Sequence, residues 1–567
     1  MKMLRGFFFL VAVSVVSAKD VKVLEMRDFR HRDFTEQGIT LNKDVRVRIE
    51  AWGASDRRED EMLAYGWILE SETRRVVWEM TVDNSSEEGR EYNRRSEDEI
   101  SLSSGNYELY YAVSPRGSWR GDYRDFGDFL DDLFGGFRRS RWRREARSWG
   151  IALWVEEVDQ EAIEPTDISK EMGAIVQLAP MGDDEFESQG FSLSRETKLR
   201  VYAIGEGDDD EMYDYGWIVD GSTRERVWEM DYRGSRRAGG ADKNRLMDEE
   251  ITLPEGDYLI YFVTDGSHSY DEWNMLPPAD PRHWGITLWG TESGFQKDLV
   301  VTPYEPKEER RVIVDITRVG NDRFEEESFT LEKPAKVRVR CLGEYGYSDY
   351  FVDYGWIQDA KTRETVWKMT RRNTREAGGA KKNRLFDGII SLEPGSYEVY
   401  YITDGSHAYR RWNAGPPYDP EAWGITLWGS GEDFDPQSVL PYREEDDADL
   451  LVKIVQVGDH ERARRRFRLE EPTDVRLYAI GEGDDDEMYD YGWMEDERGR
   501  DVWRMEYWET EHAGGARKNR MVNTVIHLEA GEYTVRYRSD GSHSFDDWND
   551  DPPRDSVHWG ITVRRER

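Results

Sequence analysis

Two short motifs return four times along this chain, and that repetition constrains its folding more than any other feature. Tyr-Gly-Trp triplets place tryptophans at Trp67, Trp217, Trp356 and Trp493, and Trp-Gly-Ile triplets begin at Trp149, Trp284, Trp423 and Trp559. Successive copies lie roughly 140 to 150 residues apart, the size of an independent domain and far beyond a solenoid repeat, so each copy can enclose its own core. Within a copy the two triplets are about 67 residues apart in the three later copies and about 82 in the first, which marks an insertion in copy one. The stretches between copies, around 157–170, 293–309 and 432–449, are acidic and contain Pro165, Pro303 with Pro306, and Pro436 with Pro441. They read as extended, semi-stiff linkers that keep neighbouring modules apart unless a specific interface forms. The predicted organisation is a leader over 1–18, module 1 over 19–156 with an insertion at 114–148, module 2 over 169–292, module 3 over 309–431 and module 4 over 449–567.

Inside a module the hydrophobic period is two. Leu199, Val201 and Ala203 alternate with Lys198, Arg200 and Tyr202, and Val337, Val339 and Cys341 alternate with Lys336, Arg338 and Arg340. Such alternation is the pattern of a strand with one buried face. Further strands are expected at 216–220, 226–230, 251–253, 258–264 and 284–289, separated by Gly, Pro and Asp turns. Seven or eight short strands per module with no long helical pattern predict an all-β chain of four tandem antiparallel sandwiches, jelly-roll-like in type. Cys341, the only cysteine, takes the place that Ala203 and Ala479 hold in other copies, so it reads as a small core residue with no disulfide partner.

An aromatic-x-Leu strand (Phe329-Thr330-Leu331), a Val-x-Val strand, a Tyr-Gly-Trp-Ile-x-Asp strand and a Pro-Gly-x-Tyr hairpin (Pro394, Gly395, Tyr397) follow one another in module 3. In this succession each module resembles the pre-peptidase C-terminal type of bacterial β-sandwich. The resemblance implies accessory or binding modules of secreted proteins, although the protease domain usual in that setting is not part of this sequence.

At the N-terminus, Lys2 and Arg5 precede an apolar run from Phe7 to Val16 that ends in Val16-Ser17-Ala18. That is the pattern of a secretory signal peptide, cleaved after Ala18, and it predicts export to the periplasm, the cell surface or the medium. No later stretch approaches the roughly 20 apolar residues of a transmembrane helix. The net charge of −39 disfavours a nucleic-acid partner, which needs a basic footprint. Twenty-two Trp, 30 Tyr and 20 Phe residues equally disfavour disorder.

Three motifs recur in copies two to four. The first is an acidic loop, 205–214, repeated identically at 481–490. Its Glu206, Asp208, Asp210 and Asp214, with Glu482, Asp484, Asp486 and Asp490, are the candidate ligands of a hard cation such as calcium, the one cofactor the sequence suggests; a solvated loop is the competing reading. Copy three replaces this run by 344–349. The second motif is Ala-Gly-Gly-Ala followed by Lys-Asn-Arg at 238–245, 377–384 and 513–520. Without a Lys-Ser/Thr ending it is no phosphate loop; its glycines allow a tight turn, after which Asn and Arg can satisfy carbonyls or the acidic loop.

The third motif is Asp-Gly-Ser-His followed by Trp-Asn: Asp265, His268, Trp273 and Asn274; Asp404, His407, Trp412 and Asn413; Asp540, His543, Trp548 and Asn549. An aromatic plate beside Asp, Asn and His can stack on a sugar ring and bond its hydroxyls, while the same residues can instead pin a long loop. Copy one lacks this loop. There Phe126, Phe129, Leu130, Leu133 and Phe134 fall at helical spacing within 114–148, ahead of an Arg-rich segment. Catalysis has little sequence support, because Ser267 and His268 are adjacent and no zinc-type His or Cys spacing occurs. The expectation is a non-catalytic, multivalent binder of a repetitive ligand such as an envelope or extracellular polysaccharide. A passive spacer is the alternative and a secreted hydrolase the third reading.

Overall fold

The computed structural model describes residues 20–29, 34–55, 61–88, 93–114, 146–168, 173–305, 311–346, 351–431, 433–444 and 447–566. The expected signal peptide and the body of the copy-one insertion lie outside the described residues. The chain is nearly all β, in several antiparallel sheets, and divides into two compact units, 1–306 and 307–567. The first contains modules 1 and 2, the second modules 3 and 4. Among the described residues, no helix is long and apolar enough to cross a membrane.

Module 2 shows how the sequence pattern becomes a sandwich. One sheet is built around the strand Thr197–Asp208, flanked by Gly285–Gly290 and Asn244–Leu253. The other sheet runs Arg226–Glu229, Tyr215–Asp220, Gly256–Val263, Phe186–Leu193 and Val301–Pro303. The expected inward residues Leu199, Val201 and Ala203 are fully buried, as are Val337, Val339 and Cys341 in module 3. In module 3 the inner faces of both sheets share one core, in which Val337 and Val339 join Ile357, Val399 and Trp423. Burial pushes the Cys341 thiol well up, as suits a small core residue without thiolate chemistry.

Two sequence expectations change. The linkers are not spacers: Ile163–Thr166 pairs with Phe34–Leu41, Val301–Pro303 with Phe191 to Leu193, and Val439–Pro441 with Phe329 to Leu331. Each adds an edge strand to the preceding module, a position where proline is tolerated because its missing N–H faces away from the ladder.

The modules inside each unit are also not held apart. Between modules 1 and 2, Arg74 bonds Asp280 Oδ1 at 2.6 Å and Glu108 Oε1 at 2.8 Å, with all three side chains buried, and Trp67 Nε1 donates to the Ala279 carbonyl at 2.7 Å. Between modules 3 and 4, Asn523 Nδ2 donates to the Thr362 carbonyl at 2.7 Å and Gln358 Nε2 to Asp555 Oδ2 at 3.4 Å, while Glu444 of the connecting segment joins Arg363 on one side and His558 Nε2, at 3.4 Å, on the other. The two units use related devices, although Arg74 bonds Asp280 directly whereas Arg363 reaches the following module through Glu444. A buried Arg of the leading module faces an Asp-x-x-His of the following one, carried on the tight turns Pro281–His283 and Ser556–His558, where residues three apart eclipse.

Candidate functional site

The three recurring motifs meet at one end of modules 2, 3 and 4. In module 2, the strand Gly256–Val263 leads into Asp265, whose Oδ1 accepts from the Ser267 amide at 2.9 Å and turns the chain. His268 then takes a left-handed conformation, φ 62°, and is fully buried. Its Nε2 donates to Asn244 Oδ1 at 2.6 Å, while Asn244 Nδ2 donates to the carbonyls of Gly239 and Leu276 at 2.8 and 3.0 Å. Asn244 therefore ties the Gly-Gly turn to the His loop. The turn must be glycine: at Gly240, φ 64°, a Cβ would lie 1.9 Å from the Pro277 carbonyl oxygen. His407 with Asn383 and His543 with Asn519 repeat the arrangement. Burial, with Lys382 and Lys518 nearby, lowers His407 to about 3 and His543 to about 4, so these rings are neutral at physiological pH.

Each Trp of the motif stands edge-on against two buried rings. Trp273 lies 5.1 Å from Trp284 and 5.2 Å from His268; Trp412 lies 5.0 Å from Trp423 and 5.2 Å from His407; Trp548 lies 5.1 Å from both Trp559 and His543. All three tryptophans remain partly exposed. Asn274 is partly exposed, and Asn413 and Asn549 are exposed. The lysine of the second motif spans the site, since Lys382 Nζ bonds Asn413 Oδ1 at 2.5 Å and Glu344 Oε1 at 3.1 Å.

The acidic motif divides. Glu206 and Asp214 face inward and gather with Asp265 so that one oxygen of each lies within 4.8 Å of the others. Asp214 accepts from the Asp265 amide at 2.8 Å and from Trp284 Nε1 at 3.0 Å, and Glu206 Oε1 accepts from Lys243 at 2.9 Å. Asp208 and Asp210 instead sit exposed at a hairpin tip outside this cluster, with Asp209 and Asp210 in the left-handed region, φ 49° and 69°. Glu482, Asp490 and Asp540 form the same cluster in module 4, again without Asp484 and Asp486. Module 3 has it too, through Glu344, Asp353 and Asp404. The sequence reading missed Glu344 and Asp353 because it followed the acidic run. The available signal was register: Glu344 stands after Leu-Gly where Glu206 stands after Ile-Gly, and Asp353 precedes Tyr-Gly-Trp as Asp214 does.

Module 1 builds the same strands without these groups. Ala54 pairs with Asn93 as Glu206 pairs with Asn244, and Ala64 takes the place of Asp214 before Tyr-Gly-Trp. Trp149 Nε1 donates to Asn93 Oδ1 at 3.0 Å. Compared with known proteins, the chain matches no family model and no curated sequence.

Proposed function

We propose that this is an exported, non-catalytic binding protein whose modules 2, 3 and 4 each offer one loop-end site to a repetitive ligand of the envelope or extracellular polysaccharide class. The observation that carries the reading is the threefold recurrence of a partly exposed Trp, set edge-on against a buried Trp and His and flanked by an Asn, at one end of each module. A rigidly seated indole beside amide groups is the composition that stacks on a sugar ring while bonding its hydroxyls. The ligand contacts fall to Trp273, Trp412, Trp548 and the neighbouring Asn and Asp residues, whereas the buried histidines orient the loop. Three linked weak sites raise overall affinity through effective concentration without any single strong contact. Export, read from the first 18 residues, and the resemblance to pre-peptidase C-terminal sandwiches support the same role.

The passive spacer is favoured by a different observation, the bonding of His268, His407 and His543 into their own loops by Asn244, Asn383 and Asn519. The full-length chain presented to a glycan array, alongside Trp273→Ala, Trp412→Ala and Trp548→Ala, separates the two. Binding that falls stepwise with each substitution supports the proposal. No binding to any polysaccharide, or binding indifferent to all three changes, leaves the spacer.

A further inference from the structure

The inward carboxylates of the acidic motif are costly for a fold that does not need them. Module 1 closes the same pair of strands with Ala54 and Ala64, both fully buried, so neither the hairpin nor the Tyr-Gly-Trp strand requires a charge there. Modules 2, 3 and 4 nevertheless bury a Glu and an Asp at these positions and bring a third carboxylate, from the His loop, beside them. Burying ionised groups is expensive unless something compensates.

The compensation present is incomplete in the same way three times. One oxygen of Glu206 takes the Lys243 ammonium, but its Oε2 is buried without a hydrogen-bond partner, and so are Oε2 of Glu344 and of Glu482. Each of these glutamates is more than nine-tenths buried. When ionised, three carboxylates against one lysine leave two negative charges in excess, the charge of one divalent cation. The spacing is also suitable: oxygens that all lie within 4.8 Å of one another can sit together around a calcium-sized ion, whose ligand distances are about 2.3 to 2.6 Å.

We infer that modules 2, 3 and 4 each bind one divalent cation of the calcium class between the inward Glu, the Asp before Tyr-Gly-Trp, and the Asp of the His loop. Because one ligand comes from the loop that carries the partly exposed Trp, the ion fixes that loop to the sandwich edge. The exposed hairpin tip with Asp208 and Asp210 takes no part, and the described residues of module 1 form no such cluster. The inference is independent of any polysaccharide binding. The buried cluster of Glu398, Glu444 and His558 does not qualify in the same way, since Arg363, Arg564 and Lys453 already neutralise it.

The test uses the full-length chain, stripped with chelator and held in about 150 mM KCl so that loose attraction to its acidic surface is screened. Calcium is titrated calorimetrically. Terbium luminescence excited through tryptophan supplies a local readout, because Trp284, Trp423 and Trp559 each donate to a proposed ligand. Three equivalents are expected. Asp265→Asn, which can keep the turn bond to the Ser267 amide, should remove one equivalent, Glu206→Gln should remove the same one, and Asp208→Asn should remove none. Circular dichroism of each variant shows that the fold persists. No saturable binding at millimolar calcium, or a stoichiometry that falls with Asp208→Asn and not with Asp265→Asn or Glu206→Gln, overturns the inference.

Discussion

Replacing Asn383 by alanine should be the most damaging single change at the loop end of module 3, and the structure allows its size to be worked out. Asn383 is fully buried, accepts from His407 Nε2 at 2.6 Å and donates to the carbonyls of Gly378 and Gly415, both at 2.8 Å. Alanine leaves the His407 N–H and the Gly378 carbonyl without these partners; Gly415 keeps its bond from the Ala380 amide at 2.9 Å. A buried polar group left unpaired costs about 1 to 3 kcal/mol, so two such groups and part of a third give about 3 to 5 kcal/mol. The four-module chain will not unfold in one step, so a single denaturation midpoint is the wrong observable. Native-state hydrogen exchange of the strand Asn383–Leu392 reports the local opening free energy instead. With a factor of ten for every 1.4 kcal/mol, protection of its amides should drop roughly a hundred- to several-thousand-fold. Asn383→Asp, which turns a buried carboxylate oxygen toward the Gly378 and Gly415 carbonyls, should lose at least as much protection as alanine. A loss of protection below about tenfold for Asn383→Ala would refute the argument, because it would mean that water reaches these groups at little cost.

The module pairing makes two further expectations. Arg363→Met should destabilise the unit of modules 3 and 4 by about 3 to 5 kcal/mol in calorimetry, since it leaves Glu398 buried without its cation while Glu444 keeps Arg564 and Lys453, and Arg363→Lys should not restore it because lysine lacks the planar fork; a loss under about 1 kcal/mol would show the network to be dispensable. The same unit should be pH-sensitive at both ends. Burial and Arg363 oppose the His558 proton, yet Asp555 and Glu444 outweigh them and raise it to about 9, so this contribution is complete below about pH 6.5 and is lost as pH climbs through 9. Glu444, despite burial, is held well below the ordinary carboxylate range by His558, Arg363 and Lys453, so its contribution is complete above about pH 4.5 and is lost on acidification. A melting temperature that rises between pH 6.5 and 9, or an alkaline decline that His558→Gln leaves unchanged, would contradict this account.

Local pattern settled most of the fold. The alternation of Leu199, Val201 and Ala203 needs no knowledge of distant residues, because the pleat alone sends every second side chain to one face. The strands read at 216–220, 226–230 and 258–264 return within a residue or two as Tyr215–Asp220, Arg226–Glu229 and Gly256–Val263. The role of Asn and Arg in the second motif was also legible, since a turn leaves carbonyls that something must satisfy: Asn244 bonds those of Gly239 and Leu276, and Arg245 that of Ser235. Tyr202 marks where the pattern stops: its place in the alternation puts it on the outer face, yet it is buried and its hydroxyl donates to Asp280 at 3.0 Å. A period of two cannot show that another module covers that face.

What only the tertiary structure decided is which charges share a space. Asp208 and Asp214 look alike in the acidic run, but strand register turns Asp214 inward toward Asp265, about fifty residues later in the chain, and leaves Asp208 at a solvent-exposed tip. Glu344 and Asp353 join the same constellation from a module whose acidic run is absent, and Arg74 finds Asp280 across a module boundary. Hydrophobic periodicity is a short-range signal written along the strand. Electrostatic partnership depends on distance in space, and only the closed sandwich and the docking of one module on the next bring those side chains within a few ångströms.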